Sequence, residues 1–402
     1  MSNNEITTGI DIGTDSIKLL GVVRRKDSDL LEVVAKGMIK SDGIRKGIVV
    51  EPEKVTKKIQ QLLSQIKEVN TEEIQDVAIN INGKHLYTVL SKGLVSVSRA
   101  DQTISQDDVE RVILEAQTVS LPNNYELIDS SVKDFIVDGQ NGIKQPTGMH
   151  GVRLEAEVLN FCAFSPYVRN LKDCVVEAGL GISDIVPSAI AASTAVLTPQ
   201  QKELGVLLID IGAATTSIAV FEEGCILHSA VFPIGSSHIT NDIAIGLKID
   251  VEIAERIKKE FGTCFKKKGY SGNKKIKIIK DKEIVFSQKS LFEIIEARVL
   301  EIFDIINQEL KKIERQGKLP AGIVLTGGGT KIKGIDDLAR KELKLPAKIG
   351  IPKGILGLEE EPTIASLAGL VLLGVEEKDE EDSGSGINIV GGLTKIFKIF
   401  NP

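Results

Sequence analysis

The chain contains no tryptophan, and it has few of the residues that build metal sites and disulfide frameworks. Its 402 residues include four cysteines and four histidines, and only 4% are aromatic. The cysteines, Cys162, Cys174, Cys225 and Cys264, are far apart, and no two of them form a C-x-x-C pair. This spacing excludes a zinc site of paired cysteines and gives no sign of a disulfide framework. We therefore expect the chain to work in a reducing cytoplasm.

Long apolar runs and an excess of positive charge are also absent. No apolar stretch approaches the roughly 20 residues that cross a bilayer, and the amino terminus, MSNNEITTG, lacks the layout of a signal peptide. The formal net charge of −6 argues against nucleic acid as a partner. With 42% hydrophobic residues in a chain of this length, the composition predicts a soluble protein of at least two domains.

The sequence does contain one short motif in two copies. GIDIGTDSIK occupies residues 9–18, and IDIGAATTSI occupies residues 209–218. Aligning the two copies pairs Asp11 with Asp210 and leaves alternating, β-branched residues in register after both turns. An internal repeat at about half the chain length indicates two related lobes.

Each copy predicts a β-hairpin, with an apolar strand that ends at an Asp, a turn at a Gly and a second strand. The predicted strands are 7–12 and 17–23 in the first copy, and 206–211 and 216–221 in the second. Small tip residues let backbone N–H groups approach a phosphate, and the Asp can hold Mg²⁺ through water. One such hairpin is more often structural than ligand-binding. Two copies in register predict a clamp for a polyphosphate between the lobes.

The repeat therefore supplies most of a candidate nucleotide site. The predicted phosphate-binding residues are Gly13, Thr14, Asp15, Ser16 and Lys18 in the first copy, and Gly212, Ala213, Ala214 and Thr215 in the second. The predicted Mg²⁺ residues, acting through water, are Asp11 and Asp210. Gly235, which follows the second hairpin, is included in the predicted nucleotide site. Lys18 is expected to reach the phosphates as a point charge.

A third glycine run, IVLTGGGTKIKG at residues 323–334, reads as a strand, three glycines and the start of a helix. Such a junction offers N–H groups without side-chain bulk, which suits a phosphate or the flat face of a nucleoside. Its spacing excludes the P-loop and Rossmann fingerprints. Following the paired hairpins, Gly327, Gly328 and Gly329 are predicted to form the third wall of the nucleotide site.

Glu255 and Lys258 fall three residues apart on a predicted helix between the second hairpin and the glycine run. A surface ion pair at this spacing is worth a few tenths of a kcal/mol. The alternative is that the two side chains bind the ribose edge of the nucleotide, and we include both in the predicted site.

These three elements, in this order, resemble the actin-like ATPase superfamily. Further segments are similar to the FtsA family of bacterial cell-division proteins over almost the whole chain. They are SDGIRKGIVVEPEKV (41–55), ISQDDVERVILEA (104–116), QPTGMHGVRLE (145–155), ELGVLLIDIGAATTSIAVF (203–221) and ITNDIAIGL (239–247). The resemblance implies an α/β, actin-like two-lobed fold with two ribonuclease-H-like subdomains and an FtsA-type insertion in the first lobe. It also implies ATP and Mg²⁺ as ligands.

The resemblance further implies a division of the chain into subdomains. The first-lobe core, 1A, is expected at 1–82, 165–199 and 362–376, with the insertion, 1C, at 83–164. The second-lobe core, 2A, is expected at 200–232 and 300–361, with its cap, 2B, at 233–299. A flexible linker at 377–388 and an amphipathic helix at 389–402 are expected to follow. Two helices rich in small residues, in the stretches 182–197 and 362–374, are expected to cross closely as hinges between the lobes.

One departure from the superfamily bears on catalysis. Efficient members often carry a Glu before a Pro-x-Ala-Ala run on the first crossing helix, and Val186 stands at the comparable position here. A valine side chain cannot polarise a water molecule. We therefore expect ATP to act as a conformational and assembly ligand, with slow hydrolysis at most.

The end of the chain changes composition abruptly. An acidic and then Ser/Gly-rich stretch after Gly374 predicts a flexible tether. The final segment, INIVGGLTKIFKIFNP, predicts an amphipathic helix at a membrane surface, with lysines towards anionic lipid. The residues predicted to contact the membrane are Leu393, Lys395, Ile396, Phe397, Lys398 and Phe400. The alternative is a terminal helix that docks on the protein's own body.

In the FtsA family, such a helix tethers the tubulin-like FtsZ polymer to the inner face of the cytoplasmic membrane. The resemblance implies that the FtsZ C-terminal peptide binds at 2B, for which Arg298 is a candidate carboxylate partner, and that the protein self-associates into actin-like filaments. Other division proteins are expected at 1C. The alternatives are a PilM-like pilus-assembly protein that binds a partner peptide, and a sugar or acyl kinase, for which the sequence shows no catalytic Asp.

Overall fold

The computed structural model describes residues 6–25, 30–67, 74–265, 273–278 and 282–383. Within these ranges the chain starts one α/β lobe, leaves it to form an insertion, returns, and then builds a second α/β lobe. Its last described helix returns to the first lobe. The predicted two-lobed α/β fold is confirmed.

The first lobe begins with a strand meander followed by a helix and a parallel strand. The elements are β1 (Thr7–Ile12), β2 (Ser16–Arg24), β3 (Leu31–Lys40), β4 (Ile44–Arg45), β5 (Ile48–Val49), α1 (Pro52–Lys67) and β6 (Asp76–Ile81). All six residues of β1 are buried, as expected for a central strand covered on both faces. A Cβ on Gly9 would lie 3.0 Å from the Leu370 Cβ, so this glycine lets the chain's last helix pack closely on β1.

The insertion is a four-stranded antiparallel sheet with one helix against it. Its elements are β7 (Tyr87–Ser96), α2 (Gln106–Gln117), β8 (Tyr125–Val137), β9 (Gln140–Ile143) and β10 (Arg153–Phe164), with strand order β7-β10-β8-β9. A capping box between Ser105 and Asp108 begins α2. Its apolar face covers the sheet so tightly that a Cβ on Gly93 would clash with the backbone of α2.

The chain then completes the first lobe and builds the second. The next elements are α3 (Ser165–Glu177), β11 (Gly181–Pro187), α4 (Ser188–Val196), α5 (Pro199–Leu204), β12 (Val206–Ile211), β13 (Thr216–Glu222), β14 (Cys225–Phe232), α6 (Ser236–Leu247), α7 (Val251–Phe261), β15 (Asn273–Ile278), β16 (Lys282–Ser287), α8 (Gln288–Lys312), β17 (Ile323–Thr326), a 3₁₀ turn (Gly328–Lys331), α9 (Ile335–Leu343) and β18 (Ala347–Ile349). The chain ends its described part with β19 (Ile355–Leu356), a 3₁₀ turn (Pro362–Ile364) and α10 (Ala365–Ser383).

The two lobe sheets repeat one topology. In the first lobe β3-β2-β1-β6-β11 are neighbours, and in the second lobe β14-β13-β12-β17-β18 are neighbours in the same sense. In both sheets the first three strands pair antiparallel and the last two join in parallel. The repeated motif is therefore the same hairpin, β1–β2 and β12–β13, in two related sheets.

Helices α4 and α10 cross at very short range between the two sheets. A Cβ on Gly369 of α10 would lie 1.6 Å from the Ala191 carbonyl oxygen of α4, so only glycine allows this approach. The close crossing predicted from the small residues is confirmed, while the hinge role of the two helices stays a prediction.

The helix α10 is longer than expected and corrects the predicted start of the linker. A flexible segment was expected from residue 377, but the helix continues to Ser383. Lys378 donates to the Ile6 carbonyl oxygen, and Asp379 forms an ion pair with Arg24, so this stretch is bound to the first lobe. Acidic composition indicated flexibility, but glutamate and lysine are also good helix formers when such anchors exist.

Candidate functional site

A cleft of about 740 Å³ lies where the two hairpins and the glycine run meet. Of the predicted residues, those lining it are Asp11, Gly13, Thr14, Asp15, Ser16, Lys18, Asp210, Gly212, Ala213, Thr215, Glu255, Lys258, Gly327, Gly328 and Gly329. The structure therefore brings together residues from three separate parts of the sequence. Its volume is in the range of small-molecule sites.

The tips of the two hairpins have the same local geometry. The Gly13 N–H donates to the Ser16 carbonyl oxygen over 3.1 Å, and the Gly212 N–H donates to the Thr215 carbonyl oxygen over 2.9 Å. A Cβ on either glycine would stand 3.0–3.1 Å from that same carbonyl oxygen. Each tip is thus a tight turn closed by its own backbone. The tip residues that line the cleft are Thr14, Asp15 and Ser16 in the first hairpin and Ala213 and Thr215 in the second.

The two aspartates at the ends of the first strands have different surroundings. The Asp11 carboxylate accepts hydrogen bonds from Asn80 Nδ2 at 2.7 Å and from Lys18 Nζ at 3.0 Å. Lys18 also donates to the Thr363 carbonyl oxygen. Burial acts to lower the pKa of Lys18, but the carboxylates around it, Asp11 above all, raise that pKa above its ordinary value.

The Asp210 carboxylate has no hydrogen bond or ion pair to another residue in the described part of the chain. Burial raises its pKa to about 7, the charge of Asp11 adds to the increase, and Lys18 opposes it. A neighbouring cation would remove this unfavourable electrostatic environment.

These residues fit Mg²⁺ as a nucleotide-linked ion rather than as a resident metal. The described residues contain no group of three or more His, Cys, Asp or Glu side chains that could cage an ion. Mg²⁺ is commonly held by one or two carboxylates together with water and substrate phosphates. Asp11 and Asp210 offer that donor set, and bound Mg²⁺ would neutralise charge on the phosphates.

The three glycines of the third wall are required for different reasons. A Cβ on Gly327 would lie 2.2 Å from Asp210 Oδ1, and a Cβ on Gly329 would lie 2.4 Å from Ile211 Cγ2. Gly327 also has a φ of 85°, which favours glycine. A Cβ on Gly328 would meet nothing closer than Thr363 Cγ2 at 3.7 Å. The fold therefore requires the outer two glycines, whereas the middle one leaves open space facing the cleft.

Glu255 and Lys258 form the predicted pair on α7, with Lys258 Nζ 2.7 Å from Glu255 Oε2. The Lys258 ammonium also donates to Thr240 Oγ1 at 2.8 Å and to the Ser236 carbonyl oxygen at 3.1 Å. Lys258 is only 8% exposed, so this is not the solvated surface pair that the spacing also allowed. The pair presents a fixed polar edge to the cleft, and its contact with a ribose stays a prediction.

Two residues of the predicted nucleotide site do not line the cleft. Ala214 is buried in the second tip. A Cβ on Gly235 would lie 2.7 Å from the carbonyl oxygens of both Gly212 and Ala213, so this glycine allows α6 to begin against the tip. The next two residues, Ser236 and Ser237, line the cleft instead.

Sequence reasoning missed two asparagines at the carboxyl end of β6, Asn80 within the strand and Asn82 directly after it. Asn80 Oδ1 accepts from the Ile12 N–H at 2.7 Å, while its amide holds Asp11. Asn82 reaches the other lobe, where it donates to Thr215 Oγ1 at 3.3 Å and accepts from Ser217 Oγ at 3.1 Å. The available signal was the pair of alternating polar residues in the otherwise apolar run VAININ.

Val186 lies on β11 and is 1% exposed, but it does not line the nucleotide cleft. From this segment the residue that lines the cleft is Ser188, whose hydroxyl accepts from Asn80 Nδ2 at 3.0 Å. This corrects the expectation that Val186 stands where a water-polarising Glu would act. No carboxylate from β11 or α4 lines the cleft in the part of the chain that the structure describes.

The remaining candidates lie apart from the cleft. Arg298, on α8, already forms a two-pronged ion pair with Asp242, with N–O distances of 2.6 and 2.9 Å, and it also contacts Glu301. The predicted membrane-contacting residues, from Leu393 to Phe400, fall outside the described residues. None of the helices in the described ranges is long and apolar enough to span a bilayer.

Two duplicated sheets, paired hairpin tips and a glycine wall around one cleft define the class of actin-like ATPase folds. Solved structures of this class align with the chain. PilM from the "PilM-PilN type IV pilus biogenesis complex" aligns with a TM-score of 0.65 and 18% identity, over 92% of this chain and 99% of that one. MreB5 of Spiroplasma citri bound to AMPPNP aligns with a TM-score of 0.58 and 16% identity, over 95% and 99%. At such identities these likenesses support the fold alone.

Sequence comparison identifies the family. The family model "Cell division protein FtsA" matches residues 207–369, and the model "SHS2 domain inserted in FTSA" matches residues 83–162. The chain is 34% identical to cell division protein FtsA of Pseudomonas aeruginosa, over 94% of this chain and 92% of that protein. It is 35% identical to the Bacillus subtilis FtsA over 88% and 80%, and 30% identical to the Escherichia coli FtsA over 93% and 91%. The chain belongs to the FtsA family of cell division proteins.

Proposed function

We propose that the chain binds ATP with Mg²⁺ in the cleft between the hairpins and uses the nucleotide to control its assembly. The observation that carries this proposal is the Asp210 carboxylate, which has no partner among the described residues and has a raised pKa, opposite the Lys18–Asp11 pair. A ligand that supplies both a cation and phosphates would stabilise such a site most, because the cation pairs with the carboxylate and the phosphates pair with the lysine. The open space at Gly328 supports the same ligand, because among the described residues no atom lies closer to an added Cβ than Thr363 Cγ2 at 3.7 Å.

Hydrolysis in this cleft is proposed to be slow. The stretch that carries a Glu in efficient members of the superfamily places only the Ser188 hydroxyl at the cleft. A hydroxyl is a poor general base at neutral pH. Single-turnover hydrolysis of radiolabelled ATP should therefore be far slower than a typical kinase turnover, and a turnover in the kinase range would contradict the proposal.

The cellular role follows from family membership and from the terminal segment. We propose that the protein polymerises into actin-like filaments, lies peripherally on the inner face of the cell membrane at the division site, and tethers FtsZ there. The basic, apolar tail supports the membrane part of this role. Polymerisation would add avidity to the weak binding of each single tail.

Electron microscopy on a lipid monolayer tests this role directly. The full chain with ATP and Mg²⁺ should form filaments on an anionic monolayer, and a chain lacking residues 388–402 should form none attached to it. A charge-reversed tail, with Lys395→Glu and Lys398→Glu, keeps the apolar stripe and serves as the matched control. Equal attachment by the full and the truncated chains would overturn the membrane proposal.

We propose that the FtsZ C-terminal peptide binds at the cap formed around α6–α8, with Arg298 exchanging Asp242 for a peptide carboxylate. The half-buried position of Arg298 supports this exchange, because a guanidinium there remains reachable from solvent. Fluorescence anisotropy with a labelled FtsZ tail peptide should show loss of binding in Arg298→Glu. The control is Arg340→Glu, which removes an exposed arginine on α9. Unchanged binding in Arg298→Glu would remove this residue from the proposal.

The PilM-like alternative has support from the fold alone. The PilM likeness is 18% in identity, whereas the FtsA relatives named above are 30–35% identical over most of their length. No described contact favours a pilus partner, so we keep the division role as the single proposal.

A further inference from the structure

A second cavity, of about 660 Å³, lies where the insertion, the first lobe and the second lobe meet. We refer to it as the junction cavity. It shares no lining residue with the nucleotide cleft, although α4 and α10 contribute side chains to both. Its volume suits one molecule of drug or lipid-fragment size. Nothing in the proposed nucleotide or membrane function uses it.

The floor of the junction cavity is apolar. The floor side chains come from all three parts of the molecule and are Phe161, Val186, Ile190, Leu197, Ile226 and Leu373. All but the last are buried, and Val186 and Ile226 are each only 1% exposed. A hydrocarbon group placed on this floor would gain the usual stabilisation of apolar burial.

One cation enters this apolar environment without an oxygen partner. Lys202, on α5, lines the cavity with its Nζ 5.1 Å from the centroid of the buried Phe221 ring. Within the described ranges, Lys202 Nζ has no hydrogen bond and no ion pair. Burial lowers the pKa of Lys202, and attraction to Glu376 opposes that effect. A desolvated ammonium gains strongly from an anion at hydrogen-bond distance.

A buried hydroxyl group without a hydrogen-bond partner among the described residues is a second, independent indication of a ligand. Ser131, on β8 of the insertion, is 2% exposed and lines the cavity, and its Oγ has no partner among the described residues. Buried hydroxyl groups in native proteins are nearly always hydrogen-bonded. A ligand acceptor near Ser131 and Lys202 would satisfy both groups.

The mouth of the cavity has the opposite charge to Lys202. Glu203, Glu223 and Glu376 line the cavity and are exposed. By exposure, the six floor side chains are mostly buried, Lys202 is half-buried and the three glutamates are exposed; the buried Asp129 and the half-buried Lys144 also line the cavity. A ligand complementary to this order has a hydrocarbon chain, then an anionic group, and then a cationic group at its outer end.

We propose that the junction cavity binds a single-chain zwitterionic amphiphile. Its hydrocarbon chain lies on the apolar floor, its phosphate accepts hydrogen bonds from Lys202 and Ser131, and its ammonium faces the three glutamates at the mouth. The ligand class is that of a lysophospholipid with a zwitterionic headgroup, in which a phosphate ester carries an ammonium group, as in phosphocholine.

The test compares four soluble probes with the same decyl chain, each kept below its micelle concentration and titrated into the full chain by calorimetry. Decylphosphocholine carries both charges, decyl phosphate only the anion, decyltrimethylammonium only the cation, and decyl maltoside neither. The zwitterion should bind tightest. Equal binding of all four probes, tighter binding of the cationic probe, or no binding of the zwitterion would overturn the proposal.

Two substitutions locate the binding. Lys202→Met keeps the length and packing of the side chain and should weaken decylphosphocholine by about tenfold, as expected for one charge-assisted hydrogen bond. Lys318→Met, at an exposed lysine of the same lobe, is the control and should change nothing. Ser131→Ala should weaken the probe while leaving the melting temperature unchanged or higher, because it removes an unsatisfied buried hydroxyl. Unchanged affinity in both Lys202→Met and Ser131→Ala would place the probe elsewhere and overturn the proposal.

Nucleotide binding serves as an independent check of folding. None of the substituted residues lines the nucleotide cleft, so each variant should bind ATP as the full chain does. If the full chain binds no ATP but decylphosphocholine still requires Lys202, the nucleotide proposal fails and the cavity proposal stands. If the full chain binds ATP but its binding of decylphosphocholine does not depend on Lys202 or Ser131, the cavity proposal fails and the nucleotide proposal stands.

Discussion

The two hairpins have the same backbone geometry but different electrostatic environments. Both pair six residues antiparallel, and both close their tips with the same glycine N–H bond. In the first lobe the register sets Asp11 directly opposite Lys18, so the carboxylate has a permanent counter-ion. In the second lobe the residue opposite Asp210 is Ser217, which cannot neutralise it.

This difference indicates a division of labour between duplicated elements. The first lobe holds charges that are already balanced, and the second holds an acidic group whose pKa is raised to about 7 by burial and by the charge of Asp11. If the cleft binds the proposed nucleotide, we expect the first lobe to orient it and the second to respond most strongly to the arrival of a cation. A ligand that bound both lobes and carried a cation would give Asp210 a counter-ion too, so that both carboxylates would be neutralised.

The strongest test of this comparison is to remove each aspartate in turn. Asp210→Ala should lower Mg²⁺-dependent ATP affinity by at least about a hundredfold, because the ion loses a protein ligand that no neighbour replaces. Isothermal calorimetry with ATP, with and without Mg²⁺, measures this loss. Asp337→Ala, at an exposed aspartate of α9, is the control. Retained affinity in Asp210→Ala would count against the assignment of the cleft.

The partner substitution, Asp11→Ala, should differ in its effect on the ligand-free protein. It leaves the Lys18 ammonium, whose side chain is only 16% exposed, without its carboxylate. We expect a loss of about 2 kcal/mol in the free energy of unfolding. Asp210→Ala should cost little or even stabilise at pH 8, because it removes a poorly solvated charge. Equal destabilisation by both variants in urea titrations would break the comparison.

The pH dependence of the second lobe follows from the raised pKa of Asp210. A carboxyl whose folded pKa lies above its unfolded value stabilises the folded state while protonated. That contribution is present below about pH 4 and is lost as the pH rises through about 7. Ligand-free stability relative to Asp210→Asn should therefore fall across this window. A stability difference that stays flat between pH 5 and pH 8 would contradict the raised pKa.

The same titration predicts proton release on binding. At pH 6 the Mg²⁺–ATP complex must displace about one proton from Asp210, and at pH 8 almost none. Calorimetry in buffers of different ionisation enthalpy measures this number, and Asp210→Asn should abolish the difference.

The backbone wall of the second lobe can be tested by two neighbouring glycines. Gly328→Ala places its methyl group in open space, so the ligand-free protein should keep its melting temperature while ATP affinity falls by about tenfold or more through a steric clash. Gly329→Ala drives its methyl group into Ile211 and should lower the melting temperature itself. If Gly328→Ala binds ATP normally, the open space does not belong to the ligand.

Much of the nucleotide cleft was predictable, because its elements are local in sequence. The hairpin strands were placed to within one residue at most ends, since an apolar run, an Asp and a turn Gly specify that structure without help from the rest of the chain. The glycine wall was predictable for the same reason. The internal repeat then supplied the one long-range fact, that two such hairpins face one cleft.

The features that were missed all depend on contacts between distant segments. Asn82 reads as an ordinary polar residue until β6 is set beside the second hairpin. Val186 lies on a strand whose twist and pairing decide which cavity its side chain faces, and the motif does not encode this. The end of α10 depended on ion pairs with the first lobe, which composition could not reveal. Spacing identifies an element, and tertiary contacts decide where its side chains point.

The smallest expected effect is at Asn82, which connects the first lobe to the second hairpin. Asn82 stands at the end of β6, directly before the insertion, and its amide bridges to Thr215 and Ser217 of the second hairpin. Asn82→Ala removes this bridge between lobes without removing any charge. We expect ATP affinity to fall by roughly fivefold, the equivalent of about 1 kcal/mol for a neutral hydrogen-bonded pair.

Asn80→Ala provides the matched comparison, because Asn80 acts within the first lobe on the Asp11 carboxylate and on the Ile12 N–H. It should lower the melting temperature, since a buried amide with several partners is lost. Asn82→Ala should leave the melting temperature nearly unchanged and weaken only the nucleotide, as measured by calorimetry on both variants. If Asn82→Ala destabilises the ligand-free protein as much as Asn80→Ala does, the bridge is a fixed part of the fold, and the two hairpins do not depend on the ligand to bring them together.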